Sequence, residues 1–225
     1  MQTTSSVIQV VSDVVCPWCF IGKRRLEKAV KLLGQPVEIH WTAFQLNPAA
    51  PKGGMDRKEY RIHKFGSAEY ARQLETRVVE AGREEGIDFQ FDQITRIPNT
   101  FDAHRLIWLA GREGVQDAVV ERLFRAYFID AEDAGDASVL ARIGREAGID
   151  RTVLEPLWDG DLGVEDVAKE EELARRYGVS GVPAFFVNGV PVTSGAQQPE
   201  LLAHVFGQVL GADGAQCSVG SQNCL

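Results

Sequence analysis

A chain of 225 residues with 44% hydrophobic and 25% charged content is long enough to bury a sizeable core as one or two domains. Its formal net charge of -8, from 24 Lys and Arg against 32 Asp and Glu, gives no cationic footprint for nucleic acid or an anionic membrane surface, so neither is expected as a partner. No apolar stretch reaches membrane-span length, and the opening residues lack a basic start and a small-residue cleavage site, so the expected setting is cytoplasmic.

Residues 7–14 read as the first strand, β-branched and continuous in the manner of a strand buried on both faces. A helix is expected from Pro17 to Leu33, with Phe20, Leu26, Ala29, Val30 and Leu33 apolar and Gly34 stopping it. In PVEIHWTAFQL, Val37, Ile39 and Trp41 alternate with Glu38, His40 and Thr42, which predicts a second strand. Strand, helix and strand make a βαβ unit, so the two strands should be parallel neighbours.

From residue 51 to 161 the texture turns helical, in segments such as AEYARQLETRVVEAGREEG and QDAVVERLFRAYFIDAED separated by Gly, Asp and Pro. Arg77, Val78, Ala81 and Gly82 keep helical spacing, as do Leu106, Leu109 and Ala110, and strand signals nearly vanish. Strand texture returns in GVPAFFVNGVPVTSG, where Asn188-Gly189 between two apolar runs signals a hairpin. PELLAHVFGQVL, with Pro199 near a first helical position, closes the fold, and residues 211–225 are read as a flexible Gly/Ser-rich tail. The layout is that of an α/β thioredoxin fold, a central mixed sheet flanked by helices, built from residues 1–50 and 162–210. Residues 51–161 form an all-helical insertion domain.

Two cysteines occupy the junction of the first strand and first helix, in VCPWC. Cys16 ends the strand where unpaired helix amides and the positive dipole end converge, a position that favours thiolate. Three-residue spacing on a helical turn brings Cys19 round to it, so the pair can open and close a disulfide. Pro17 suits the first helical position and removes one amide partner of the Cys16 sulfur. Trp18 offers broad apolar surface to a protein substrate, with ordinary core packing as the other reading. Half a zinc site and a buried inert pair are the alternatives for the cysteines. Zinc needs two further ligands, and no matching pair is adjacent in sequence, so no metal is expected. Asp13 is read either as the group that exchanges a proton with the more buried Cys19 or as a solvated strand end. Lys23, Arg24 and Arg25 read as a solvated helix face, with added positive potential at the pair as the alternative. His40, His63 and His204 join no constellation.

VCPWC at that junction, together with GVSGVPAFFVNG before the hairpin, resembles the DsbA-like thiol oxidoreductases. PNTFDAHRL, LFRAYF and GAQQPELL resemble their cytosolic FrnE-like branch, and the likeness runs over residues 8–210. The resemblance implies disulfide exchange with protein or small dithiol and disulfide substrates, Cys16 attacking and Cys19 resolving. It implies no bound cofactor, with glutathione as a candidate redox partner. It also implies a cis Val182-Pro183 bond that leaves the Val182 backbone unpaired beside the sulfurs, where an extended substrate can add as a strand. A trans proline starting an edge strand is the alternative. In the related isomerases and kappa-class glutathione transferases an Asn-Thr pair helps line the cleft, which makes Asn99, Thr100 and His104 candidates for the substrate groove. Helix capping explains Asn99 and Thr100 equally well. Those relatives leave open a glutathione-dependent isomerase or transferase on the same scaffold, although they typically keep one active position rather than two cysteines. A holdase-type chaperone is a third reading. Cys217 and Cys224, with six residues between them, are read either as a second redox pair or as incidental cysteines.

Overall fold

The computed structural model describes residues 6–218, with side chains over 6–211. Strand β1 (Ser6–Ser12) and strand β2 (Val37–Ala43) lie in parallel register, Ser6 beside Val37 and Ser12 beside Ala43, and α1 (Pro17–Leu33) makes the crossover. Proline opens α1 and Gly34, at φ +65°, closes it, so both bounds fall where the sequence puts them. β1 ends two residues earlier than expected, because Asp13 and Val14 are spent on the turn that leads into α1.

The insertion begins with a two-residue ribbon, β3 (Met55–Asp56) against β4 (Arg96–Ile97), so it is not wholly helical. Between those strands lie α2 (Arg57–Phe65) and α3 (Ala68–Glu84), each capped by a side chain accepting from a first-turn amide, Asp56 from Glu59 and Ser67 from Tyr70. After β4 come α4 (Phe101–Arg112), α5 (Gln116–Phe128), α6 (Ala137–Glu146) and α7 (Arg151–Asp159). α8 (Val164–Arg176) was not anticipated, since its sequence is dominated by charge and buries only Val167 and Ala174. β5 (Ala184–Val187) and β6 (Val190–Ser194) then form the expected hairpin, with Asn188 and Gly189 both at positive φ. α9 (Pro199–Ser218) runs on past Leu210, where the sequence reading ends the helix and starts the tail. The Cys217 side chain and all of Cys224 lie outside the described residues.

The sheet has the order β2-β1-β5-β6, with β5 antiparallel to β1, Val10 beside Phe185. Polar side chains occupy the outer edge of β2. Gln116 both accepts from Trp41 N–H at 2.9 Å and donates to its carbonyl at 3.0 Å, while Glu170 accepts from Ala43 N–H and Glu171 from Gln45 N–H. These bonds take up the outward backbone groups at Trp41 and Ala43, which are thereby closed to a foreign strand. Phe20 of α1 stacks on Phe124 and Phe128 of α5, with centroids 5.1 and 6.1 Å apart, and one buried cluster runs through sheet and insertion alike.

Lys23, Arg24 and Arg25 do not form a solvated face. Lys23 is 3% exposed and reaches Glu27, Asp117 and Glu121 at 2.5, 3.1 and 3.4 Å. Arg24 bonds Glu27 and Glu121, and Arg25 bonds Glu85 at 2.8 Å and the Ala196 carbonyl at 2.6 Å. The three cations tie α1 to α5, to α3 and to the segment before α9. No helix among the described residues is long and apolar enough to cross a membrane.

Candidate active site

Cys16 is the N-cap of α1, extended at φ -92° and ψ 110°, and its amide closes the preceding turn on the Asp13 carbonyl at 3.0 Å. The amides of Cys19 and Phe20 point back at the Cys16 carbonyl, at 3.0 and 3.4 Å. The two cysteines carry free thiols, Cys16 4% exposed and Cys19 wholly buried. Burial, then a hydrogen bond to Cys16 and the charge of Cys16, push the Cys19 thiol well above its usual range, and the Ser12 side chain and Asp13 backbone only partly oppose this. The pair is therefore asymmetric, one sulfur at the helix start beside a cleft and the other enclosed and protonated.

The Cys16 thiol donates to the Val182 carbonyl at 3.5 Å, and the Val182-Pro183 bond is cis. Among the described residues no backbone hydrogen bond ties Val182 to a neighbouring strand. Close approach of this loop to α1 depends on Gly22, where an added Cβ would lie 2.9 Å from Pro183 Cγ. A cleft of about 470 Å³ opens in front of the pair. Cys16, Pro17, Trp18 and Val182 form one side of it, and α2 and α3 contribute the other. Trp18, 37% exposed, belongs to this lining rather than to the core.

Asp13 is buried, so it is not a solvated strand end. Its carboxylate does not address Cys19. One oxygen accepts from Leu46 N–H at 2.7 Å, and the other faces His104 Nε2 at 3.4 Å without a hydrogen bond. Asn99, Thr100 and His104 do not line the Cys16 cleft. Asn99 Oδ1 accepts from Phe101 N–H at 3.0 Å, a cap at the start of α4, and its amide donates to Ala50 O at 2.7 Å. Its open side faces a separate cleft beside Asp102 and Trp158. Thr100 is buried and makes no capping bond with its side chain. Asp13 and Asn99 instead hold the loop 45–47, through Leu46 N–H and the Gln45 amide, and that loop supplies Leu46 and Asn47 to the cleft wall. Sequence reasoning did not find Ser12, Leu46, Asn47, or the α2 residues Arg57 and Tyr60, since none carries a local signal for a site.

Residues 7–207 match the profile of the DSBA-like thioredoxin domain family. The chain is similar to the Bacillus subtilis (strain 168) protein YwbO, with 27% identity over 193 residues, 84% of this chain and 90% of that protein. It is also similar to the probable DsbA oxidoreductase SCO1869 from Streptomyces coelicolor, with a TM-score of 0.81, 27% identity, and 98% of this chain and 92% of that one covered. The cytosolic disulfide reductase DsbM from Pseudomonas aeruginosa, solved with GSH, shares the fold at a TM-score of 0.61 and 18% identity, over 91% of this chain and 99% of that one.

Proposed function

The chain belongs to the DSBA-like thioredoxin domain family, and from that premise we propose that it exchanges disulfides with protein substrates through Cys16 and Cys19. The Cys16 thiolate attacks one sulfur of a substrate disulfide, the substrate S–S bond breaks, and the departing sulfur takes a proton. Cys19 then gives up its proton and attacks the Cys16 sulfur, which releases the second substrate thiol and leaves a Cys16–Cys19 disulfide. The substrate gains two electrons and the pair loses two; the reverse sequence oxidises a substrate dithiol. Glutathione, the ligand with which the like-folded DsbM was solved, is the proposed co-reactant that restores the dithiol, ending as its own disulfide. The cytoplasm, where thiols are kept reduced, is the proposed setting.

The observation that carries this reading is the asymmetry of the pair. Cys16 lies at a helix start on the cleft, and Cys19 is buried and held protonated behind it. Val182, outside the β5 ladder, holds its carbonyl beside the Cys16 thiol, where an extended substrate segment would pair. Asp13 and Asn99 act as positioning residues for the loop 45–47. A disulfide-bonded peptide tests the roles. Cys16→Ser should reduce exchange to the uncatalysed background, and Cys19→Ser should accumulate a peptide adduct on Cys16. Catalysed exchange by Cys16→Ser would overturn the assignment.

A further inference from the structure

The charge of the cleft opposes that of the chain. Within a protein of net charge -8, the charged side chains lining the space before Cys16 are Arg57, Arg61, Lys64 and Arg77 against the single carboxylate of Glu75. Glu75 is shared, with Arg57 Nη2 2.6 Å from one oxygen and Arg61 on the other. Both arginines are further fixed, Arg57 by a bond to Phe91 O at 3.0 Å and Arg61 by one to Ala71 O at 2.7 Å. Lys64 and Arg77 have no ion-pair partner among the described residues. Lys64 is held in place all the same. Its ammonium donates to Tyr60 Oη at 2.7 Å, and that hydroxyl donates to Asn47 Oδ1 at 2.6 Å.

Beneath these cations the cleft is apolar, formed by Leu74, Val78, Phe91, Ile94, Ile97 and Phe128. We infer that the preferred substrate is a protein segment that carries, close to its reacting cysteine, an apolar side chain for this floor and a carboxylate for Lys64 and Arg77. The inference rests on the proposed exchange reaction and adds selectivity to it. A small disulfide such as that of glutathione brings carboxylates but nothing to fill the apolar floor, which is why the occupant is assigned as a protein segment. Complementary charge at an exposed rim acts chiefly on encounter and on rejection of the wrong partner.

The test uses disulfide peptides that share a leucine beside the reacting cysteine and differ in one further position, Glu, Gln or Lys. In low salt the unaltered protein should turn over the Glu peptide about three- to tenfold faster, in kcat/KM, than the Lys peptide, as expected for two exposed charge contacts. The preference should shrink in high salt. In the double variant Lys64→Glu with Arg77→Glu, both exposed positions, the order should reverse. Equal turnover of the three peptides, an unchanged order in the double variant, or faster turnover of glutathione disulfide than of the Glu peptide would overturn the inference while leaving the exchange reaction standing. Failure to turn over any disulfide would instead remove the exchange reaction on which it rests.

Discussion

Cys16 and Cys19 carry the same side chain in different surroundings, and the difference has a consequence for stability. Burial and the neighbouring Cys16 favour the protonated form of Cys19 in the fold, so its folded pKa lies above the unfolded one, near the usual thiol value of 9.0. The stabilisation of that protonated thiol is fully present below the unfolded pKa and is lost as pH rises toward the folded one. Denaturation of the reduced protein between pH 7 and 10 should therefore show a loss above about pH 9, approaching 1.4 kcal/mol per pH unit. Cys19→Ser should lack this extra slope, and parallel curves would count against an enclosed, protonated Cys19. The pair itself was legible in sequence, because two cysteines three apart at a strand-to-helix junction are a local signal. The surroundings of Asp13 were not. Leu46 is 33 positions away in sequence and His104 lies on α4, so only the folded chain shows that the carboxylate faces those two residues.

At the scale of elements, sequence was most informative where one residue fixes the backbone. Pro17 and Gly34 bound α1, and Asn188-Gly189 sets the β5–β6 hairpin. It was least informative where charge conceals burial. Lys23 and Arg24 look like a solvated face until Asp117 and Glu121 arrive from 94 and 97 positions away, and α8 shows little apolar periodicity because its glutamates serve the edge of β2. Gly22 is the point where α1 and the Pro183 loop meet. Gly22→Ala should gain about 1 kcal/mol in helix propensity. The new methyl, 2.9 Å from a proline ring carbon, must instead push the two elements apart, at a typical overpacking cost of about 1–3 kcal/mol. A net destabilisation of about 1 kcal/mol and slower exchange are expected, measured by denaturant unfolding and by turnover of a peptide disulfide. A more stable variant with undiminished exchange would mean that this close contact has no part in placing Val182 beside Cys16.

At the scale of the molecule, the helical insertion does more than decorate a thioredoxin fold. α2 and α3 supply the far side of the cleft and its cations, while Phe124 and Phe128 of α5 join Phe20 in a shared core. The change from alternating to helical periodicity near residue 51 was visible in the sequence, and helices α2 to α7 follow it. How the two combine into one site was not, because that depends on long-range packing with no local signature. The central claim is that Cys16 and Cys19 act together as a two-electron pair, and it is tested most directly by weighing the protein. Reduced protein is mixed with a disulfide-linked peptide, and the intact mass and cysteine linkage are followed together. The expected result is loss of two hydrogens from the protein, a new bond mapped to Cys16–Cys19, and release of the peptide as two thiols. A peptide that stays intact, or one reduced while Cys16 and Cys19 both remain thiols, would contradict it.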